Sequence, residues 1–385
     1  MLLPNNKQKT KLFQYAGTSR FAYNWALAKE QENYKNGGKF IPDASLRKEF
    51  THLKKTEGYT WLYNVSNNVT KQAIKDACDA YKRFFKGLAK FPRFKSRKHS
   101  IPSFYQDSVK IQFTDTHMKL EGFVSSKKKN KQKLNWIRLA EHNRIPVGCK
   151  YSNPRIKFDG INWYLTVGIE YKNSNPPPSN GGIGIDLGIK ELAVCSDGYS
   201  CKNINKTQKI KKLEKRKRRL QRSISRRYEK NKKGESYCKT HNIIKGEKEL
   251  LKLNHKLTNI RQNHLHQTTS SIIKREPSFI CLEDLNVKGM MKNRHLSKAV
   301  QQQGFYEFRR QIEYKSGWNN IQVIIADRFF PSSKLCICCG RMKKDLKLSD
   351  RIYRCECGNR IDRDYQAALN LKGYGEMYLK QQSAG

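Results

Sequence analysis

The chain has 385 residues, of which 78 are lysine or arginine and 33 are aspartate or glutamate, giving a formal net charge of +45. Such a surplus opposes compaction unless a polyanion is bound, and it points to nucleic acid, where each neutralised phosphate releases counterions, ahead of an anionic membrane surface. No apolar run reaches the ~18–20 residues of a membrane span, the N-terminus has no apolar signal core, and the length suits two or three domains.

In chain order, Lys9 to Tyr34 carries Leu12, Phe13, Ala16, Phe21, Trp25 and Ala26 at helical spacing, and Gly37 and Gly38 stop the pattern. Asp43 to Glu57 is a shorter predicted helix with Asp43 or Ser45 as its cap. Asn67 to Phe85 is a third, with Val69, Ile74, Ala77, Ala80, Tyr81 and Phe84 on one face and Asn68, Lys71, Gln72 and Lys75 on the other. FPRFKSRKHSIPSF, Phe91 to Phe104, then interleaves aromatics with Arg93, Lys95, Arg97 and Lys98, and its prolines prevent a regular helix. Aromatics that stack on bases beside cations that hold phosphate make this a candidate nucleic-acid contact, the alternative being a basic surface loop.

From Ser108 to Tyr171 the runs VKIQF, MKLEGF, NWIRL, NPRIKFDG and NWYLTVGIEY alternate apolar and polar residues, and Asp159-Gly160 marks a hairpin. The expectation is a small antiparallel barrel or sandwich, with Lys127, Lys128, Lys129, Lys131 and Lys133 at a loop tip. Asn173 to Gly182, with three consecutive prolines, reads as a linker. Behind it come two strands in GIGIDLGIKELAVCSDGYS, a basic stretch Lys206 to Lys233, a helix Lys248 to Lys274, the strand SFICLED, a helix Lys298 to Ser316, the strand NIQVIIAD, a cysteine-rich insert, and a helix from Asp364. That order suits a mixed sheet flanked by helices, as in the RNase H-like fold.

Carboxylates fall at the ends of these elements. Asp186 alternates with Ile183, Ile185 and Leu187 and therefore faces away from the apolar side of its strand. Glu283 and Asp284 end SFICLED, and Asp362 and Asp364 sit where the last helix begins. Three acids from distant segments suit phosphodiester cleavage by two Mg²⁺ ions about 4 Å apart; each acid alone would read as a turn or helix cap.

Cys336-x-x-Cys339 followed by Cys355-x-Cys357 is spaced like a zinc ribbon, with Cys338 as an alternative ligand and a redox dithiol pair as the competing reading. Lys334, Arg341, Lys343, Lys344 and Arg351 surround it as possible phosphate contacts. Cys78, Cys149, Cys195, Cys201 and Cys281 are scattered and read as buried small hydrophobes.

GIDLGIKELAVCSDG, FICLEDLNVKGM, FRRQIEYKSGW with DRFFPSSKLCICCG, and RCECGNRIDRDYQAALNL follow one another in an order that resembles the TnpB proteins of insertion sequences, strongly over residues 178–373 and more loosely at Arg20 to Leu27 and Phe91 to Lys98. The resemblance implies an RNA-guided DNA endonuclease related to type V CRISPR effectors; a binding-only regulator, a transposase proper and a miniature CRISPR effector are the other readings. It implies a multidomain α/β architecture. A helical recognition domain (11–103) would be inserted in a wedge β-barrel (1–10 and 104–174). An RNase H-like RuvC nuclease (178–331 and 360–385) would follow, holding a zinc ribbon (332–359). It selects Asp186, Glu283 and Asp364 as catalytic Mg²⁺ ligands and Cys336, Cys339, Cys355 and Cys357 as Zn²⁺ ligands. Its implied partners are a guide RNA from the transposon end and target DNA, double-stranded and unwound, in a prokaryotic cytoplasm near the nucleoid, with no membrane. Asn68, Lys71, Gln72, Arg93, Lys95, Arg97, Arg328 and Lys334 are the candidate nucleic-acid contacts.

Three departures from the family pattern stand out. Met1 lies almost at the LYPN-like turn, so a wedge strand is expected to be missing. Gln366 stands where the family commonly has Asn, and the second cysteine pair is one residue tighter than usual.

Overall fold

The computed structural model describes residues 1–122, 135–170, 178, 180–347 and 350–384. The lysine-rich tip at 127–133 and most of the proline linker lie outside the described residues. The chain forms two compact units, Met1–Tyr171 and Lys172–Gly385.

In the first unit, β1 (Leu2–Leu3) is followed by α1 (Asn6–Lys35), α2 (Asp43–Leu53), a 3₁₀ turn (Thr60–Asn64) and α3 (Asn67–Phe85). Strands β2 (Ser103–Tyr105), β3 (Gln112–Phe113), β4 (His117–Lys119), β5 (Trp136–Leu139), β6 (Tyr151–Phe158) and β7 (Trp163–Ile169) complete it. The described strands make one antiparallel sheet in the order β2-β6-β7-β1-β5-β4-β3. The expected missing strand is present: Leu2 pairs with Leu139 on one side and Trp163 on the other, so two residues close the gap between β5 and β7.

Helix α1 starts earlier than the apolar spacing suggests because Asn5 and Gln8 form a capping box, each side chain accepting the other's backbone N–H at 2.9 and 3.0 Å. It runs unbroken through residues 10 and 11 and serves two cores. Leu12, Tyr15 and Ala16 pack with Leu2, Phe104, Ile137, Ile156 and Trp163 of the sheet. Ala22, Tyr23, Ala26 and Leu27 pack with Leu46, Phe50, Leu62, Ile74, Ala77 and Tyr81 of the helices. α2 is shorter than expected and its cap residue is Pro42; Asp43 lies in the first turn and pairs with Arg47 instead.

The second unit opens with β8 (Ile183–Leu187), β9 (Glu191–Cys195), β10 (Ser200–Lys202), α4 (Gln208–Lys230), the short pair β11 (Lys232–Lys233) and β12 (Ser236–Tyr237), and α5 (His241–Ile273). It continues with β13 (Phe279–Glu283), α6 (Val287–Lys292), α7 (Ser297–Gln303), α8 (Phe305–Trp318), β14 (Gln322–Ala326), the hairpin β15 (Ile352–Arg354) and β16 (Arg360–Asp362), and α9 (Arg363–Ala384). The single helix expected over 298–316 is two, because Gly304 ends α7 in the left-handed conformation at φ 70°.

The central sheet runs β10-β9-β8-β13-β14, with β10, β9 and β8 antiparallel and β8, β13 and β14 parallel. Ile183, Ile185, Leu187 and Leu282 pack on one face with Leu265, Phe305, Phe308 and Ile312. Phe279, Cys281 and Ile324 pack on the other with Leu371 of α9. Both faces are therefore covered, as parallel strands require.

Gly184 sets how closely α9 approaches. A Cβ there would overlap the backbone oxygen of Ala368 and the backbone nitrogen of Lys372. Gly184→Ala must push the helix off β8, and we expect it to cost about 1–3 kcal/mol as overpacking against backbone that has no rotamer to yield. Calorimetry checks this; an unchanged thermal midpoint would show that α9 is free to move.

Candidate active site and metal centre

β8 and β13 are parallel neighbours, with Leu282 opposite Ile185. One step further along this register brings Glu283 beside Asp186, both on the face that carries α9. Asp364 arrives from the first turn of α9. The carboxyl of Asp186 is held well above its ordinary range, first by burial and then by the charges of Glu283 and Asp364, with Arg363 opposing. Glu283 is also raised, by burial first and by Asp364, while a hydrogen bond from Ser332 lowers it.

The two pairs of adjacent acids divide their roles. Asp362 caps α9, accepting the backbone N–H groups of Asp364 and Tyr365 at 2.9 and 3.1 Å. Asp364 is instead held by the Arg363 guanidinium at 3.1 Å and approached by Arg351 at 3.8 Å. Asp284 takes Arg309 at 3.2 Å and Arg328 at 2.9 Å. Ser332 and Arg363 were not singled out by sequence pattern, and Arg351 was read only as a possible phosphate contact beside the cysteines; Ser332 lies within the PSSK segment, whose proximity to Glu283 depends on the fold.

Carboxylates that repel one another, with Asp186 and Glu283 held above their ordinary range, form a hard-oxygen donor set suited to a divalent cation, which would remove the repulsion. Four thiols form the second centre. The Sγ atoms of Cys336, Cys339, Cys355 and Cys357 all lie within 4.8 Å of one another, with Cys336–Cys357 and Cys339–Cys355 each at 3.6 Å. Among the described residues this is the one group of His, Cys, Asp and Glu whose donor atoms meet that closely, and it excludes Cys338, which is exposed. Burial alone would raise the Cys336 thiol, but the backbone N–H groups of Cys339 and Cys338 and the Asn359 amide bring it down to about 6. Such a centre readily exchanges protons for a metal ion. Of the five scattered cysteines read as buried hydrophobes, four are buried and Cys149 is half-buried, with its Sγ 3.5 Å from the Pro146 carbonyl; Cys238 is half-buried as well.

The nucleic-acid candidates are less uniform. Lys71, Arg93 and Arg97 are exposed. Asn68 donates to Asp107 at 2.6 Å and Glu121 at 3.2 Å, and Gln72 donates to Asp76 at 2.9 Å. Lys95 places its Nζ 3.6 Å from the centre of the Tyr23 ring, and burial lowers its pKa. Arg328 is committed to Asp284, and Lys334 donates to the Lys344 carbonyl at 3.5 Å. α4 is a stronger cationic feature than any of these: twelve lysines and arginines against two glutamates along it, with only Ile210 and Ile224 buried.

Three family models match the chain: OrfB_IS605, described as "Probable transposase", over residues 165–294; a Cas12f1-like TNB domain over 305–371; and an OrfB_IS605 helix-turn-helix domain over 1–39. In this structure the last segment holds β1 and one 30-residue helix. A protein of Escherichia coli (strain K12) carrying the provisional name RNA-guided DNA endonuclease InsQ is 29% identical over 98% of this chain and 92% of its own length. A Streptomyces pristinaespiralis protein with the same provisional function is 28% identical over 97% of this chain and 87% of its own. Among solved structures, a Cas12f1–sgRNA–target DNA complex aligns with a TM-score of 0.59 at 16% identity, over 94% of this chain and 81% of that one, a likeness of fold.

Proposed function

We propose that this chain, which belongs to the TnpB family of insertion-sequence proteins, is an RNA-guided DNA endonuclease that recognises a short target-adjacent motif and cuts with a RuvC domain of RNase H type. In this reading residues 178–331 and 360–385 are the nuclease, 332–359 a zinc ribbon, 11–103 the helical recognition domain, and 1–10 with 104–174 the wedge barrel. The mixed five-stranded sheet with helices on both faces supports the RNase H assignment, and the curated relatives' names support guided cleavage.

The observation that carries the reading is the convergence of Asp186, Glu283 and Asp364, from β8, β13 and α9, close enough for the charges of Glu283 and Asp364 to act on Asp186. These three would hold Mg²⁺, which when bound supplies an activated water and neutralises charge on the phosphate. The chain's own residues fix where that happens. Ser332 donates to Glu283 and holds one of its oxygens. Arg363 orients Asp364. Arg351, exposed beside Asp364, would supply positive charge along the approach of a phosphate strand, while Arg328 is held by Asp284, the residue after Glu283. Cys336, Cys339, Cys355 and Cys357 would hold structural Zn²⁺, a soft-donor set for which thiolate ligation is ordinary.

The test is copurification with the flanking genomic DNA, sequencing of the bound RNA, and a plasmid library with random bases beside a guide-matched target. Depletion of one short motif in Mg²⁺ supports guided cutting. A bound RNA with no depletion would favour a binding-only protein, and no discrete RNA would overturn the guided reading. The guide RNA should lie along α4. Replacing the exposed Arg219, Arg222 and Arg226 with Gln should flatten the salt dependence of RNA binding by about 2 in log–log slope, at ~0.7 per single-strand phosphate contact. A slope unchanged in filter-binding titrations would place the RNA elsewhere.

A further inference from the structure

The carboxylate site and the cysteine site are bridged by side chains that neither site uses. Asn359 follows the second cysteine pair, and its backbone carbonyl accepts the Cys355 N–H at 2.9 Å. Its Nδ2 donates to Cys336 Sγ at 3.4 Å and to Gln366 Oε1 at 2.9 Å. One amide nitrogen carries two hydrogens, so both are used. Gln366 is fully buried in the turn of α9 that begins with Arg363 and carries Asp364. One turn on, Asn370 donates to the carbonyls of Ser332 at 2.7 Å and Leu335 at 2.8 Å. Ser332 donates to Glu283, and Leu335 precedes Cys336.

We propose that Asn359 and Gln366 are positioning residues that tie the cysteine centre to the first turn of α9, so that metal held by the cysteines fixes the placement of Asp364. This rests on the reading of the two sites given above. The departure at position 366 then has a physical account: an asparagine there is one methylene shorter and would not reach Asn359 from the same backbone. The bridge is a hydrogen bond between two amides of fixed combined length, and the ribbon hairpin runs from Asp362 of β16 directly into α9.

The experiment is a double-mutant cycle in the full-length protein with its copurified RNA: Asn359→Ala, Gln366→Ala, both together, and the exchange Asn359→Gln with Gln366→Asn. Two quantities are read, the rate of zinc transfer to a chromogenic chelator and the Mg²⁺ concentration for half-maximal cutting. Each single variant should speed zinc release and raise the Mg²⁺ requirement by about tenfold, as outer-shell substitutions do. The double variant should add little to either single one, and the exchange should restore both. Because Gln366 is buried, Asn359→Ala, at a half-buried position, keeps the test sound if Gln366→Ala misfolds. Unchanged zinc release in Asn359→Ala, or effects that simply add, would overturn the proposal. Wild-type protein that holds zinc but cuts nothing would instead refute the nuclease reading, while zinc release would still decide the coupling.

Discussion

Asp186→Asn should abolish DNA cutting and at the same time raise the thermal midpoint of the metal-free protein. The first effect follows from losing a carboxylate at the centre of the site: loss of a single preorganised electrostatic partner already costs about 10²–10³-fold, so a fall of about 10³-fold or more is expected. RNA binding should hold, since it draws on the cationic surface of α4. The second effect follows from the sign of the electrostatics. Burial and the neighbouring Glu283 and Asp364 hold the Asp186 carboxyl above its unfolded value. The folded state therefore binds that proton more tightly than the unfolded chain does, and stability falls as pH rises from the unfolded pKa through the folded one. At neutral pH the metal-free fold bears the cost of an ionised or retained acid, which the amide removes. A gain of about 1 kcal/mol corresponds to about 2–4 °C for a unit of this size. Mg²⁺ should raise the midpoint of the wild type and leave that of the variant nearly unmoved. Full-rate cutting by Asp186→Asn would refute the site, and a midpoint lowered in the absence of metal would refute the electrostatic account.

Much of this site was legible in the sequence because it depends on local alternation. Ile183-Gly184-Ile185-Asp186-Leu187 places the acid opposite the apolar residues in any strand conformation, and the spacing of the cysteine pairs is a local property as well. What was not legible depends on distant register. Asp362 and Asp364 are equivalent in spacing and composition, and only the family resemblance chose between them; in the structure the helix start distinguishes the cap from the acid that acts on Asp186. Glu283 and Asp284 are separated likewise by the two arginines that reach Asp284. Leu2–Leu3 is too short to show a period, yet it joins two strands. Lys95, in the irregular segment before β2, reads as a free cation until Tyr23 of α1 is placed beneath it. The Asn5–Gln8 capping box was a local signal that apolar spacing alone overlooks.

Removing the metal from the cysteine centre should unfold the ribbon and with it cost the nuclease its activity. Within 333–362 the buried hydrophobic side chains among the described residues are Cys336 and Tyr353. β15 and β16 contribute three residues each, far below what an isolated hairpin needs in water. Among the described residues of that segment no larger apolar core offsets the conformational entropy of ordering it, whereas structural zinc supplies about 10–16 kcal/mol in isolated finger peptides. Chelation, or Cys336→Ser, should therefore expose Arg341, Lys343 and Arg354 to trypsin while cleavage elsewhere in the unit stays slow. Cys338→Ser should change neither zinc content nor proteolysis, because Cys338 stands outside the four-thiol cluster. The ribbon lies between β14 and α9 in the chain, so its loss frees the start of α9, where Asp364 sits, and loosens Ser332 from Glu283. DNA cutting should fall with zinc occupancy and return when Zn²⁺ is restored. Resistance to trypsin after complete zinc removal would show that the ribbon holds itself together, and the cysteines would then need another account.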